Sequence, residues 1–316
     1  MYDVEAALCG RKVNQMRADS IYGIVPPMVT PFDSLGEVDE SGFRSDVHHL
    51  IEEAGVHGLA VTGSTGEGHA LSDGEVARIS AWAVEESQGR VPIITGIITN
   101  STEAAIRRGK LVRDLGVTAL QVTPVHYLFR PEDDAMLRHF EAVSEGIGLP
   151  IIIYNVVPWS YLSPALLARI FDAVDGVVGV KQSASDLKTL ADLLLIRANN
   201  PNLAGRRLLT AVDPLLYPSF QLGADGAVGA LLTAAPKWSV DLWDAVKAGD
   251  QEGALKLHTM LLGLWNAIDG PNLPANVKTA MRLQGRKGGE PRPPMPATDP
   301  DQEKRILEAL QLSGQR

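Results

Sequence analysis

Short apolar runs recur along this chain roughly 25–30 residues apart, and between them apolar residues fall at helical spacing. Residues 55–61, 91–97, 119–123, 149–155, 177–183 and 207–212 read as strands. Their near-continuous Val, Ile and Leu content fits strands buried on both faces. A proline-broken strand at 21–32 precedes them, and a glycine-flanked strand at 226–229 closes the series. Helix starts fall where they should: Asp39-Glu40-Ser41 leads into Phe43, Val47, Leu50 and Ile51, and Ser72 with Glu75 has capping-box spacing. Ser101 caps a further helix, and Ser163-Pro164 places proline at its favoured first position. Eight strands each followed by a helix imply parallel pairing and right-handed crossovers, and eight such units close best as a (β/α)8 TIM barrel. An open doubly wound sheet is the alternative. It lacks support, because no nucleotide fingerprint occurs in a strand–turn–helix context.

The strand pattern stops at about residue 236. Residues 237–248, 250–265 and 275–284 read as helices, and 302–312 as a closing helix. Residues 285–300, rich in Pro, Gly and charge, read as an extended tail. The predicted organisation is an N-terminal extension at 1–20, a barrel at 21–235, and a C-terminal helical region and tail at 236–316.

Composition narrows the setting. The single Cys9 excludes an internal disulfide framework and fits a reducing compartment. A net charge of −9 without a basic cluster argues against nucleic acid. No apolar run reaches the roughly 18 residues of a membrane helix, and the N-terminus lacks a signal peptide's apolar core. The chain reads as cytoplasmic.

One strand ends on a lysine, Lys181, after Val177-Val178-Gly179-Val180. Burying an ammonium is costly, so a lowered pKa and a partly neutral, nucleophilic amine are expected there. Such an amine forms Schiff bases with carbonyl compounds. The plainer reading is a lysine that snorkels to water. A second strand leads into Gly63-Ser64-Thr65-Gly66-Glu67, where backbone N–H groups and two hydroxyls can converge on an anion. The plainer reading there is a tight turn. Catalytic groups of such barrels lie at the C-terminal strand ends. That rule selects Ser64, Thr65, Thr123, Tyr154, Asn155, Lys181, Asp213 and the 226–229 segment, with Asp213 read as a helix N-cap. An amine, a phenol and a hydroxyl cradle are what imine chemistry on a 2-oxo acid needs.

The motifs Gly23-Ile24-Val25-Pro26-Pro27-Met28-Val29-Thr30-Pro31-Phe32, Gly63-Ser64-Thr65-Gly66-Glu67, Thr123-Pro124, Tyr154-Asn155 with Pro158, and Gly179-Val180-Lys181 occur in this order. Over about residues 21–285 the chain resembles the dihydrodipicolinate synthase / N-acetylneuraminate lyase family of class I aldolases. The resemblance implies a lyase acting on pyruvate or another 2-oxo acid and an aldehyde. It further implies no cofactor beyond the lysine imine, and a homotetramer built as a dimer of dimers. It makes Lys181 the imine-forming residue and Tyr154 the acid/base. Gly63, Ser64 and Thr65 bind the substrate carboxylate, and the Val228 backbone faces the pyruvyl group. Thr65 also links Tyr154 to an aromatic residue of a neighbouring subunit, which here is Tyr127, with His126 as the fallback.

The chain departs from the synthases after Tyr154-Asn155. The segment Val156-Val157-Pro158-Trp159-Ser160-Tyr161-Leu162 holds no arginine and no glycine, so the usual guanidinium partner for a second carboxylate is missing. A true dihydrodipicolinate synthase is therefore disfavoured. Trp159 and Tyr161 are candidates to line an apolar or aromatic substrate pocket, or to pack at a helix start. Two alternatives keep the same scaffold: a 2-keto-3-deoxy sugar acid dehydratase using the same imine, and a non-catalytic 2-oxo acid binding protein.

Overall fold

Side chains on a strand alternate between its two faces, and here the two faces feed two different cores. The computed structural model describes residues 18–184 and 186–312, so Cys9 and nearly all of the 1–20 extension lie outside the described residues. The strands are β1 (Gly23–Ile24), β2 (Leu59–Val61), β3 (Ile93–Ile97), β4 (Ala119–Val122), β5 (Ile151–Asn155), β6 (Val177–Gln182), β7 (Arg207–Thr210) and β8 (Gly226–Ala227). All pair in parallel, in the order β1-β8-β7-β6-β5-β4-β3-β2. A parallel bridge between Pro27 and Ala60 joins the two ends of this order. There the Ala60 N–H donates to the Pro26 carbonyl, and the Met28 N–H donates to the Ala60 carbonyl. The prolines shorten the first strand, since neither can donate, yet the closure asks of it only the Pro26 acceptor and the Met28 donor.

Ile21, Val25, Ala60, Ile94, Ala119, Ile152, Leu209 and Val228 fill the barrel interior. The alternate residues, among them Leu59, Ile93, Leu120, Ile153, Val180 and Leu208, face outward against the helices. Each strand is followed by a helix, from Glu40–His48 after β1 to the short Ala230–Ala234 after β8. The (β/α)8 barrel is thus present as the spacing predicts.

Among the described residues four helices follow the barrel: Pro236–Ala248, Gln251–Ile268, Leu273–Leu283 and Pro300–Leu312. They pack against it, with Trp243 edge-on to both His57 and Phe220. The extended tail at 285–300 is extended but not loose. Glu290 pairs with Phe32 in an antiparallel bridge. The Arg292 guanidinium meets Glu75 at 2.6 Å and also donates to the Gly36 and Ala70 carbonyls. The segment is a strap across the mouth-side loops of β1 and β2.

Candidate active site

The β2 loop is built from left-handed backbone. Thr62 (φ 56) and Glu67 (φ 54) both take positive φ, which costs energy for residues with side chains. The surroundings hold them there. Thr62 Oγ1 donates to the Gly96 carbonyl at 2.9 Å, and a Cβ at Gly96 would stand 2.6 Å from the Thr62 carbonyl oxygen. A glycine in β3 is therefore what lets the loop turn. The Glu67 and Gly68 N–H groups donate back to the Ser64 and Gly63 carbonyls, and Thr30 Oγ1 donates to the Gly66 carbonyl at 2.7 Å. The result is a tight, buried loop that presents Gly63, Ser64 and Thr65 to the mouth.

Tyr154 and Lys181 are partners in the register of β5 and β6. Both are buried, Lys181 to 4 % exposure. The lysine does not snorkel: its Nζ lies 4.2 Å from the Tyr154 ring centroid. Tyr154 Oη donates to Ser64 Oγ at 2.9 Å. The hydroxyl tied to the phenol is thus that of Ser64, where the resemblance names Thr65; Thr65 is buried beside it. Val228 belongs to the interior cluster, and its N–H donates to the Thr210 carbonyl.

Asp213 is a cap, but not of the helix it begins. Its Oδ1 accepts from the Leu231 N–H at 2.7 Å, at the start of the helix after β8. Burial pushes its carboxyl up to about 6, against the opposing pull of that N–H and of the Lys181 charge. A carboxyl raised above its ordinary value of 3.8 binds a proton in the folded chain that the unfolded chain releases. The contribution of Asp213 to stability therefore falls as pH rises from about 4 to 6. Asp213→Asn keeps an oxygen for Leu231 and is expected to remove that decline. Urea denaturation of both proteins at pH 4 and pH 7 checks it, and an unchanged pH difference would count against the assignment.

Asn155 holds the next loop. Its Nδ2 donates to the Leu162 carbonyl and to Gln182 Oε1, and its Oδ1 accepts from the Leu162 N–H. Gln182 therefore buttresses Asn155. Tyr161 Oη donates to the Ser183 carbonyl at 3.0 Å, beside the lysine strand. Trp159 Nε1 donates to the His126 carbonyl at 2.8 Å, leaving its ring 65 % exposed at the rim. Tyr127 is 73 % exposed, with Leu128 and Phe129 exposed beside it. The structure thus gathers Lys181, Tyr154, Gly63, Ser64 and Thr65, and leaves Tyr127 and Trp159 on the rim.

Sequence reasoning missed two neighbours of this cluster. Gln121 points into the barrel from β4, 1 % exposed, with Nε2 3.6 Å from where a Cβ on Gly63 would stand. An amide in an otherwise apolar run was the available signal. Lys278 Nζ meets Glu67 Oε1 at 2.6 Å, both fully buried; no local pattern marks a pair 211 residues apart. A groove of about 950 Å³ lies far from this cluster, at the opposite end of the strands, beside Pro150, Gly176 and Arg206.

A closed parallel barrel with a lysine, a phenol and a hydroxyl loop at the C-terminal strand ends defines a (β/α)8-barrel enzyme. The model of the Dihydrodipicolinate synthetase family matches residues 20–312. A 4-hydroxy-tetrahydrodipicolinate synthase of Methanopyrus kandleri is 33% identical over 297 residues, covering 93% of this chain and 97% of that protein. One of Thermomicrobium roseum is 34% identical over 290 residues, covering 91% and 93%. Among solved structures, YagE, a prophage protein of the dihydrodipicolinic acid synthase family from E. coli K12 in complex with pyruvate, superposes with a TM-score of 0.87. It is 27% identical and covers 94% of this chain and 99% of that one. The chain belongs to the dihydrodipicolinate synthetase family, and like the members of that family it is a lyase.

Proposed function

We propose that the protein makes or breaks a carbon–carbon bond of a 2-oxo acid through an imine on Lys181. The observation that carries this is the buried Lys181 amine against the Tyr154 ring, with the Tyr154 hydroxyl tied to the Ser64 loop. The amine attacks the 2-oxo carbon, and loss of water leaves the iminium. Release of a C3 proton gives an enamine, whose C3 bonds to the aldehyde carbon. The aldehyde oxygen takes a proton delivered through Tyr154. Water then cleaves the imine and frees the lysine; cleavage is the same sequence reversed. The Gly63–Thr65 loop holds the carboxylate. The pyruvate complex of YagE and the names of the curated relatives support this reading.

The acceptor is read from the loop after β5. No arginine stands between Asn155 and Leu162; there Trp159 donates to the His126 carbonyl and Tyr161 to the Ser183 carbonyl. An aldehyde with an apolar or aromatic body fits better than one carrying a second carboxylate. Three consecutive exposed apolar residues, Tyr127 to Phe129, fit a surface covered by a second copy of the chain.

Turnover of pyruvate with aromatic, aliphatic and carboxylate-bearing aldehydes tests both parts. Higher kcat/KM with the aromatic set is expected. A preference for carboxylate-bearing aldehydes would overturn the acceptor reading. Water loss from 2-keto-3-deoxy sugar acids, without carbon–carbon chemistry, would overturn the carbon–carbon step proposed here. Tyr154→Phe is expected to lower kcat by roughly 10²–10⁴-fold while pyruvate remains trappable on the lysine. Near-normal kcat would remove Tyr154 from proton transfer.

A further inference from the structure

Glu67 stands two residues after Thr65, and its carboxylate meets the helix Leu273–Leu283 and the strap that follows it. Oε1 accepts from Lys278 Nζ at 2.6 Å, and Oε2 accepts from the Arg292 N–H at 2.8 Å. Lys278 also donates to the Glu290 carbonyl at 2.8 Å, and its ammonium lies 4.6 Å from the Phe32 ring centroid. The Arg292 guanidinium covers the same ring at 4.1 Å. Lys278 is 0 % exposed and Glu67 1 %.

Glu67 also sits at one of the two left-handed positions of the loop, with its N–H on the Ser64 carbonyl. The backbone that carries Ser64 and Thr65 is therefore fixed from behind by groups more than 200 residues away in the chain. A buried ion pair is weak support for stability when set against an apolar replacement, but it fixes geometry. A left-handed, non-glycine residue persists only where its surroundings over-determine it.

We infer that Glu67 is a positioning residue: through Lys278 and Arg292 it makes the anion-binding shape of the Gly63–Thr65 loop depend on the C-terminal strap. The dependence falls on how well the oxo acid's carboxylate is held. The reactivity of the Lys181 amine, which belongs to β6, stands apart from it. This rests on the function proposed above for the site, but the coupling of strap to loop does not.

The test uses the full chain, with Glu67→Gln and Lys278→Met as the two variants. Glu67→Gln keeps the side-chain size and an acceptor for the Arg292 N–H, so it serves if Lys278→Met does not fold. The first readout is amide hydrogen exchange of residues 62–68. Faster exchange there, with β4 to β7 unchanged, is expected. The second is the pyruvate concentration that half-saturates borohydride trapping. It should rise about tenfold, short of the roughly 100-fold that an ångström of misplacement costs, while the amount trapped at saturation stays near wild type. A merely structural role would lower thermal stability without moving half-saturation of the folded protein. Unchanged exchange at 62–68 in a folded variant overturns the inference, as does an unchanged half-saturation. Wild-type protein that traps no pyruvate overturns the proposed function, and the exchange result still decides the coupling.

Discussion

Lys181→Ala should retain the fold and lose turnover by on the order of 10⁴-fold or more. The amine sits at the end of β6, where its neighbours in register are Tyr154 on β5 and Leu209 on β7. Alanine removes a buried polar group from an already packed strand end, so no destabilisation is expected from the site itself. Among the described residues the other fully buried lysine, Lys278, is engaged by Glu67 on the far side of the β2 loop. It is not placed to substitute. Steady-state kinetics, with thermal denaturation to confirm folding, check the outcome. Turnover within about tenfold of wild type would remove the lysine from the chemistry.

Arg286→Met should strongly destabilise the fold. Arg286 Nε and Nη2 both donate to Asp46 Oδ1, at 3.0 and 2.7 Å, and Nη1 donates to the Thr233 carbonyl. Both partners of this pair are nearly inaccessible, at 6% and 2%. Removing the guanidinium strands a buried carboxylate, which costs about 3–5 kcal/mol. Replacing both partners, as Asp46→Leu with Arg286→Met, should recover most of that loss, because no uncompensated charge remains. Urea denaturation of the single and double variants decides between the two. A single variant that loses less than about 1 kcal/mol would mean that solvent reaches Asp46 after all.

The strands were readable because a parallel strand covered on both faces is a short apolar run, and the helices because their caps are local. Lys181 and Tyr154 were readable for the same reason: each polar residue ends such a run, and the barrel puts all those ends on one rim. What escaped was non-local. Glu67 reads as the last letter of a loop motif until Lys278 and Arg292 fold onto it. Residues 285–300 have the composition of a solvated tail, yet they serve as a strap, because proline, glycine and charge describe both equally well. Asp213 was recognised as a cap, but the helix that it caps begins 17 residues later. Tyr127 is named by the family resemblance, and in the single chain it lies exposed at the rim.

The most direct measurement is to incubate the protein with pyruvate and borohydride and to map the adduct by peptide mass. One reduced pyruvyl group on the peptide that contains Lys181, absent from Lys181→Ala, is the predicted result. No adduct on the wild-type chain, or the same adduct on the variant, would contradict the account.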